Sequence, residues 1–212
     1  DMLAAGTYQR LGVGDPTFYT TASYITRIRT NRSGSQANMA AWDIGIGLVG
    51  AASCDAPTAD WITGVKAEIN ELDGNNYYDV IGLAGAVYGL AYVHENFDPT
   101  AGQHAAASNI SALANILASY QITGGGFAWN QAWVFPDDGD EAIQETAYSI
   151  LALNELDRTT YLPNIQGAAT YMMNLQLGTG GWRNYEPPNS SNENNEITGE
   201  ALWGISTAFP TP

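Results

Sequence analysis

The feature that most constrains this fold is an internal repeat in the second half of the chain. Residues 121–127 read Gln-Ile-Thr-Gly-Gly-Gly-Phe and residues 176–182 read Gln-Leu-Gly-Thr-Gly-Gly-Trp, so both begin with Gln and end in Gly-Gly and a large aromatic residue. These two loops start 55 residues apart. The same spacing aligns Glu141 with Glu196, Glu145 with Glu200, and Tyr148 with Trp203. Such self-similarity is typical of chains built from stacked supersecondary units.

Apolar residues on both sides of the loops recur at helical spacing. The unit that this pattern predicts is a helix, a glycine-rich polar loop and a second helix, with two diverged copies upstream. The predicted helices span residues 16–30, 37–54, 58–72, 77–95, 104–120, 141–156, 163–175 and 196–207, with a short start at 2–10. Strand-like alternation is essentially absent. The sequence therefore predicts an all-α fold of eight main helices in four pairs.

The second helices of the two upstream pairs contain several glycines, although each glycine costs about 1 kcal/mol relative to alanine in a helix interior. These glycines are Gly45, Gly47, Gly50, Gly82, Gly85 and Gly89. Because they recur at i, i+3 and i+4, we expect them to allow close approach of two helices.

Charge and composition exclude several classes of partner. The chain has 7 Lys and Arg against 22 Asp and Glu, and its formal net charge is -15. Binding of nucleic acid requires clustered Lys and Arg side chains, so nucleic acid is excluded as a partner. No apolar run is long enough to predict a membrane-inserted helix. The single Cys54 excludes an internal disulfide framework and is expected to be a small buried residue at a helix end.

We expect one domain over residues 1–208, followed at 209–212 by Phe-Pro-Thr-Pro, which is typical of the start of a Pro/Thr-rich linker or tail. The chain begins at Asp1 rather than Met, has a single lysine, and is strongly acidic. These features favour an extracellular or cell-surface location. A place within a longer chain or surface assembly is an open alternative.

The glycine loop followed by Glu-Thr-Ala-Tyr-Ser-Ile-Leu-Ala-Leu (145–153) or Thr-Gly-Glu-Ala-Leu-Trp-Gly-Ile (198–205) resembles the repeats of the terpenoid cyclase and protein prenyltransferase superfamily. The resemblance is specific over residues 104–207 and only periodic before them. It implies an α/α toroid, in which inner helices line a cavity and outer helices surround them. Complete toroids of that superfamily have six helix pairs, so four pairs imply a small or partial toroid.

The catalytic signatures of that superfamily are missing. Gln144 stands where squalene-type cyclases have the aspartate that protonates the substrate, and an amide cannot protonate an alkene. The zinc set of prenyltransferases is not matched by Cys54, His94 or His104, and related thioester domains need a Cys-Gly-Glu-Gln run that is absent. The sequence therefore argues against terpene cyclisation and prenyl transfer, and no cofactor is expected.

An acidic residue lies near the start of the second helix of every pair: Asp43, Asp79, Glu145 and Glu200. In a toroid these side chains would gather at one end of the cavity. Converging carboxylates raise one another's pKa and attract cations, hydroxylated ligands or acid–base chemistry. Acids in a first helical turn also stabilise the helix dipole, which is the structural alternative.

The two long loops, 121–140 and 176–195, add aromatic side chains beside these acids. Phe127 and Trp182 are expected to pack under the loops. The candidate ligand contacts are Asp43, Asp79, Trp129, Trp133, Glu145, Arg183, Tyr185 and Glu200. Aromatic rings beside carboxylates are typical of carbohydrate sites, because sugar C–H faces stack on rings while hydroxyl groups bond to acids.

Three functions are consistent with these residues. The first is a secreted or surface domain that binds a carbohydrate or other polyhydroxylated ligand at the cavity mouth. The second is a glycan hydrolase or lyase that uses two of Asp79, Asp138, Glu145 and Glu200 as acid and base. The third is a non-catalytic assembly module. Asp137, Asp138 and Asp140 are weak calcium candidates that lack the EF-hand spacing.

Overall fold

In a computed structural model, the protein is described at residues 20–131, 141–185 and 192–210. These ranges hold seven α-helices and one pair of two-residue strands. The helices are α1 (Thr21–Asn31), α2 (Met39–Ser53), α3 (Ala59–Glu71), α4 (Asp79–Tyr92), α5 (Ile110–Ser119), α6 (Ile143–Asn174) and α7 (Asn195–Ala208), and the strands are β1 (Phe127–Ala128) and β2 (Glu141–Ala142). The predicted all-α class is confirmed.

One predicted boundary is wrong by six residues. Helix α5 begins at Ile110 rather than at residue 104, because the Asn109 side chain accepts a hydrogen bond from the backbone N of Ala112 at 2.8 Å and caps the helix there. The predicted burial of Cys54 is also wrong, since this C-cap residue of α2 is half-buried. The predicted start at 2–10 lies outside the described residues.

Helix α6 contains two helical segments, 143–156 and 158–174, that were predicted as separate helices. Asp157 interrupts the helix with φ −161° and ψ 85°. Its side chain then accepts hydrogen bonds from the backbone N of Thr159 and Thr160, at 3.0 and 3.1 Å, and so caps the second segment. The eight predicted helical segments are therefore present, although the loop predicted between these two is a single residue.

The helices pack in a regular order. Helix α4 contacts α2 on one side and α6 on the other, and α6 contacts α7 in turn, so the second helices of successive pairs are neighbours. The first helices pack against this row: α1 and α3 contact α2, and α5 contacts both α4 and α6. Helix α4 is buried along almost its whole length and forms the centre of the core.

The contact between α2 and α4 depends on glycine, as the sequence predicts. A Cβ on Gly85 would lie 2.6 Å from the Cα of Trp42, and a Cβ on Gly89 would lie 2.6 Å from the carbonyl O of Gly45. Real side chains do not approach this closely, so the two backbones can meet only where the side chain is absent. This contact fixes the position of α4, whose first residue is Asp79.

The two glycine loops have the same local structure. The Gln121 side chain donates to the carbonyl O of Gly125 at 2.8 Å, and the Gln176 side chain donates to Gly180 O at 2.8 Å. Gly125 and Gly180 both have positive φ, 99° and 93°, which favours glycine. The aromatic residues that follow, Phe127 and Trp182, are buried as predicted.

The predicted constant spacing of 55 residues is wrong beyond the loops. The backbone N of Phe127 donates to Thr146 Oγ1 at 3.0 Å, and that of Trp182 donates to Thr198 Oγ1 at 3.0 Å. These threonines are 52 residues apart, as are the first residues of α6 and α7. Glu145 and Glu200 are therefore not equivalent positions, because Glu200 occupies the position that Tyr148 has in the preceding copy.

Candidate functional site

Three of the four predicted helix-start acids come together in the structure. Asp79 is the first residue of α4, Glu145 lies in the first turn of α6, and Glu200 lies in the second turn of α7. Asp79 and Glu145 are each only 1% exposed, and the charges of Asp79 and Glu200 both act on Glu145. We call Asp79, Glu145 and Glu200 the carboxyl cluster.

Burial gives these three carboxyls different pKa values. It raises the pKa of Asp79 to about 6, that of Glu200 to about 7, and that of Glu145 to about 8. The neighbouring negative charges raise the Glu145 pKa further. Near pH 7 the cluster therefore combines a protonated carboxyl, Glu145, with an ionised one, Asp79. This combination can donate and accept a proton, or hold a group that offers both donors and acceptors.

Glu145 has an unsatisfied atom. Its Oε2 is buried and has no hydrogen-bond partner in the described part of the chain. A buried polar group left without a partner costs about 1–3 kcal/mol, so such atoms are few in folded proteins. A hydrogen-bond donor on a ligand would remove this cost.

Glu200 is held by neutral donors. The Gln144 side chain donates from Nε2 to both carboxyl oxygens, at 3.1 and 3.0 Å, and the Tyr148 hydroxyl donates at 3.2 Å. The backbone N of Gln144 donates to Asn184 Oδ1 at 2.9 Å, which ties this end of α6 to the second loop. In the sequence, Gln144 was notable only because it stands where cyclases have an aspartate. Residue spacing did not predict its contact with Glu200.

A second set of hydrogen bonds orients Asp79. The backbone N of Gln131 donates to Asp79 Oδ1 at 3.2 Å, and the Gln103 side chain also hydrogen-bonds the carboxylate. Gln103 Nε2 lies 2.9 Å from Nε2 of His104, which is 2% exposed. Burial lowers the pKa of His104 to about 4, so its ring is neutral at pH 7. Sequence analysis gave His104 no such role, because its loop has no repeat partner.

An aromatic group lies at the start of α4. The predicted ligand residue Trp129 stacks on Tyr77 with ring centroids 4.8 Å apart and an angle of 15° between the planes, and Tyr78 tilts against both. Tyr77 is 41% exposed, and Tyr78 directly precedes Asp79. The predicted Tyr185 is half-buried, and its hydroxyl pKa is raised by burial and by the charge of Glu145. Tyr185 therefore lies beside the cluster.

A second aromatic group crosses four helices and was missed by sequence analysis. Trp42 of α2 meets Tyr148 of α6 edge to face, with ring centroids 5.3 Å apart. Trp203 of α7 lies 6.5 Å from Tyr148 and 6.1 Å from Tyr88 of α4. Since Tyr148 also bonds Glu200, this aromatic row adjoins the carboxyl cluster.

Asp43, a predicted ligand residue, has other surroundings. Asp43 is bound by Arg32, whose Nε lies 2.6 Å from Asp43 Oδ2, and the charges that act on the carboxyl cluster do not include Asp43. Arg183 is half-buried, and its Nε has no hydrogen-bond partner among the residues that the structure describes. Trp133, Asp137, Asp138 and Asp140 lie outside the described residues, so their predicted roles stay predictions.

Other features of the described chain are separate from the cluster. A cavity of about 130 Å³ lies between α1, α2 and α3 and is lined by Arg29, Arg32, Asn38, Glu68 and Glu71, among others. Residues 20–131, 141–185 and 192–210 contain no group of three or more His, Cys, Asp or Glu that could hold a metal ion. No helix in these ranges is both long and apolar enough to cross a membrane.

The chain was compared with protein families, with curated proteins and with solved structures. No family model, curated protein or solved structure matches it.

Proposed function

We propose that the carboxyl cluster and the adjoining aromatic residues bind a carbohydrate or another polyhydroxylated ligand. The observation that carries this proposal is the buried Glu145 carboxyl, whose Oε2 has no partner in the described chain and on which the charges of Asp79 and Glu200 act. Sugar hydroxyl groups are donors and acceptors at once, so they suit a cluster that mixes protonated and ionised carboxyls.

The aromatic residues support the same class of ligand. The stacked pair of Tyr77 and Trp129 lies at the start of α4, and Tyr185 lies near Glu145. Flat rings next to fixed hydrogen-bonding groups are typical of ligand sites, because the rings bury apolar faces while the polar groups set the orientation. Sugar rings have both kinds of surface.

We further propose that the helix pairs form a small or partial α/α toroid related to the terpenoid cyclase and prenyltransferase repeats, in a secreted or surface protein. The order of helix contacts, with α2, α4, α6 and α7 as successive neighbours, supports this arrangement. The strongly acidic composition supports the location. The proposed ligand would then lie at the end of the toroid where α4 and α6 begin.

Thermal denaturation with a panel of hexasaccharides tests the binding proposal. The panel contains hexamers of glucose, mannose, xylose, galacturonic acid, glucosamine and N-acetylglucosamine. A hexamer present at about one hundred times its Kd should raise the Tm by about 5–10 °C. Glu145→Gln and Trp129→Ala should each reduce this shift by more than half.

Phe209→Ala is the control for the tryptophan variant. Phe209 is an aromatic residue at the end of α7 that is 43% exposed, so its removal changes surface area without touching the start of a helix. It should leave the shift unchanged. The proposal is wrong if no hexamer changes the Tm, or if all three variants reduce the shift equally.

Hydrolysis of a glycosidic bond is a second candidate function, favoured by the separation of pKa values within the cluster. A protonated Glu145 could donate a proton to the leaving oxygen while an ionised Asp79 or Glu200 removes a proton from water. Mass spectrometry of a bound hexamer after incubation tests this function. Shorter oligosaccharides should form with the unmodified chain and not with Glu145→Gln, whereas an intact hexamer in both samples would exclude it.

A further inference from the structure

Four of the described cations of this chain bind groups outside the carboxyl cluster. Arg29 binds Glu68, Arg32 binds Asp43, and Lys66 Nζ lies 2.5 Å from Glu95 Oε1. Arg158 donates to Asn154 and to the carbonyl O atoms of Thr207 and Ala208, at the other end of α7. Asp43 in α2 and Glu68 in α3 therefore each have a cationic partner.

The groups that act on the carboxyl cluster are acidic or neutral. The charged groups that act on Glu145 are Asp79 from α4 and Glu200 from α7, and Tyr185 faces it from the second loop. The hydrogen bonds to Glu200 come from an amide and a phenol. Among the residues that the structure describes, no lysine or arginine contributes to the charges or hydrogen bonds at these three carboxyls.

A cation would satisfy this arrangement better than a neutral ligand. An ammonium group has three donors and no acceptor, so it can bond Glu145 Oε2 and relieve the repulsion between neighbouring carboxylates at the same time. The charge of Glu145 also acts on the Tyr185 hydroxyl, and aromatic rings attract cations.

We propose that the ligand presents a protonated amino group to the carboxyl cluster, which makes an aminated carbohydrate the class of ligand that this site selects. The inference rests on the proposed function, which it narrows from polyhydroxylated ligands in general to those with an amino group. Its support is the geometry of Asp79, Glu145 and Glu200, with one buried oxygen that has no partner in the described chain.

Two oligosaccharides that differ only in acetylation provide the test. Isothermal titration at about pH 6, where amino groups are protonated, compares the glucosamine hexamer with the N-acetylglucosamine hexamer. The cationic hexamer should bind about tenfold more tightly or better, because its ammonium groups alone can pair with the cluster. Glu145→Gln should reduce this preference to about twofold or less.

Glu155→Gln is the matched control. It removes a carboxyl from the same helix, ten residues further along and outside the cluster, so any attraction due only to the net charge of -15 falls at least as much in Glu155→Gln as in Glu145→Gln. The preference should survive in Glu155→Gln. Circular dichroism of both variants checks that each is folded.

Proton release gives a second readout. Binding of a cation favours the ionised carboxyls, so protons should leave the cluster when the glucosamine hexamer binds. Titrations in two buffers of different ionisation enthalpy should therefore report release of protons on binding, and Glu145→Gln should release fewer protons than Glu155→Gln.

The outcomes separate this inference from the proposed function. Equal binding of the two hexamers, or tighter binding of the acetylated one, would overturn the inference and leave carbohydrate binding intact. A preference that falls equally in Glu145→Gln and Glu155→Gln would also overturn it, since net charge would then be the cause. Spermidine binding as tightly as the glucosamine hexamer, or no binding of either hexamer or any other in the panel, would overturn both.

Discussion

Two sets of carboxyls in this protein have opposite surroundings. Asp43 and Glu68, in the part formed by α1, α2 and α3, are each bound by an arginine. Asp79 and Glu145, at the starts of α4 and α6, are more deeply buried and are bound by neutral groups or by none among the described residues. An arginine neutralises each carboxylate of the first set within the fold. No described cation neutralises the carboxylates of the second set. The difference separates a set of carboxyls that stabilises the fold from the set at which we propose that the ligand binds.

The largest expected effect on stability comes from removing the arginine that binds Glu68. Arg29→Met leaves Glu68, which is 5% exposed, without its cation, and burial then raises the Glu68 pKa unopposed. The free energy of unfolding should fall by about 2–3 kcal/mol, less than for a fully buried pair, because the Arg29 side chain is 41% exposed and solvent screens part of the attraction. Urea denaturation near pH 7 measures it. Adding Glu68→Gln should recover more than half of the loss, and a single variant as stable as the unmodified chain would contradict the comparison.

Removal of an unpaired carboxyl should have the opposite sign. The folded-state pKa of Glu145, about 8, exceeds its ordinary value of 4.5, so the folded chain binds this proton more tightly than the unfolded chain does. The unmodified protein should therefore lose stability as pH rises from about 4.5 to about 8. Glu145→Gln, which cannot ionise, should be about 2 kcal/mol more stable near pH 8 and equally stable near pH 4.

Denaturation at a series of pH values measures this difference. Glu155→Gln should still lose stability as pH rises from about 4.5 to about 8, because it retains Glu145. A Glu145→Gln variant that is less stable than the unmodified chain at pH 8 would show that the Glu145 carboxylate is compensated inside the fold.

A smaller loss is expected at the second arginine pair. The Asp43 and Arg32 side chains are 23% and 27% exposed, so solvent screens much of their attraction. Asp43→Asn should lower the free energy of unfolding by about 1 kcal/mol and leave hexamer binding unchanged. A loss of binding would instead place Asp43 with the carboxyl cluster, as the sequence predicts.

The smallest effect is expected at the pair of Lys66 and Glu95, whose side chains are 28% and 39% exposed. Lys66→Met should change the free energy of unfolding by about 0.5 kcal/mol or less, because exposed ion pairs contribute little. The salt dependence of unfolding provides the check. Raising the salt concentration should reduce the effect of Lys66→Met further and leave that of Arg29→Met largely unchanged.

The helices and three members of the cluster were predictable because they depend on local patterns. Apolar spacing gave the all-α class, and the predicted helix boundaries placed Asp79, Glu145 and Glu200 near helix starts. The pairing of Asp43 was not predictable, since Arg32 is defined as its partner only by how the end of α1 meets α2.

The polar contacts around the carboxyl cluster could not be predicted from the sequence either. Gln144 and Tyr148 meet Glu200 only because α6 and α7 pack together, and Gln103 and His104 reach Asp79 from a loop without periodicity. The alignment of Glu145 with Glu200 failed because the chain between loop and helix is three residues shorter in the second copy. Identical spacing in the loops concealed that change of register.

The two glycine loops share the same internal hydrogen bonds, so their backbones have the same local conformation. Residues 121–127 and 176–182 close on themselves through the same Gln side chain and the same positive-φ glycine, so either heptapeptide could be grafted in place of the other. In one direction the graft replaces Trp182 by phenylalanine and loses the Nε1 bond to Met172 O. The helices that follow are not exchangeable in this way, because a graft extended at the loop spacing would reach α7 three residues out of step and move Glu200 off the face that meets Gln144. The loop backbones could thus be exchanged at the cost of repacking one aromatic residue, while each helix remains specific to its own place in the row.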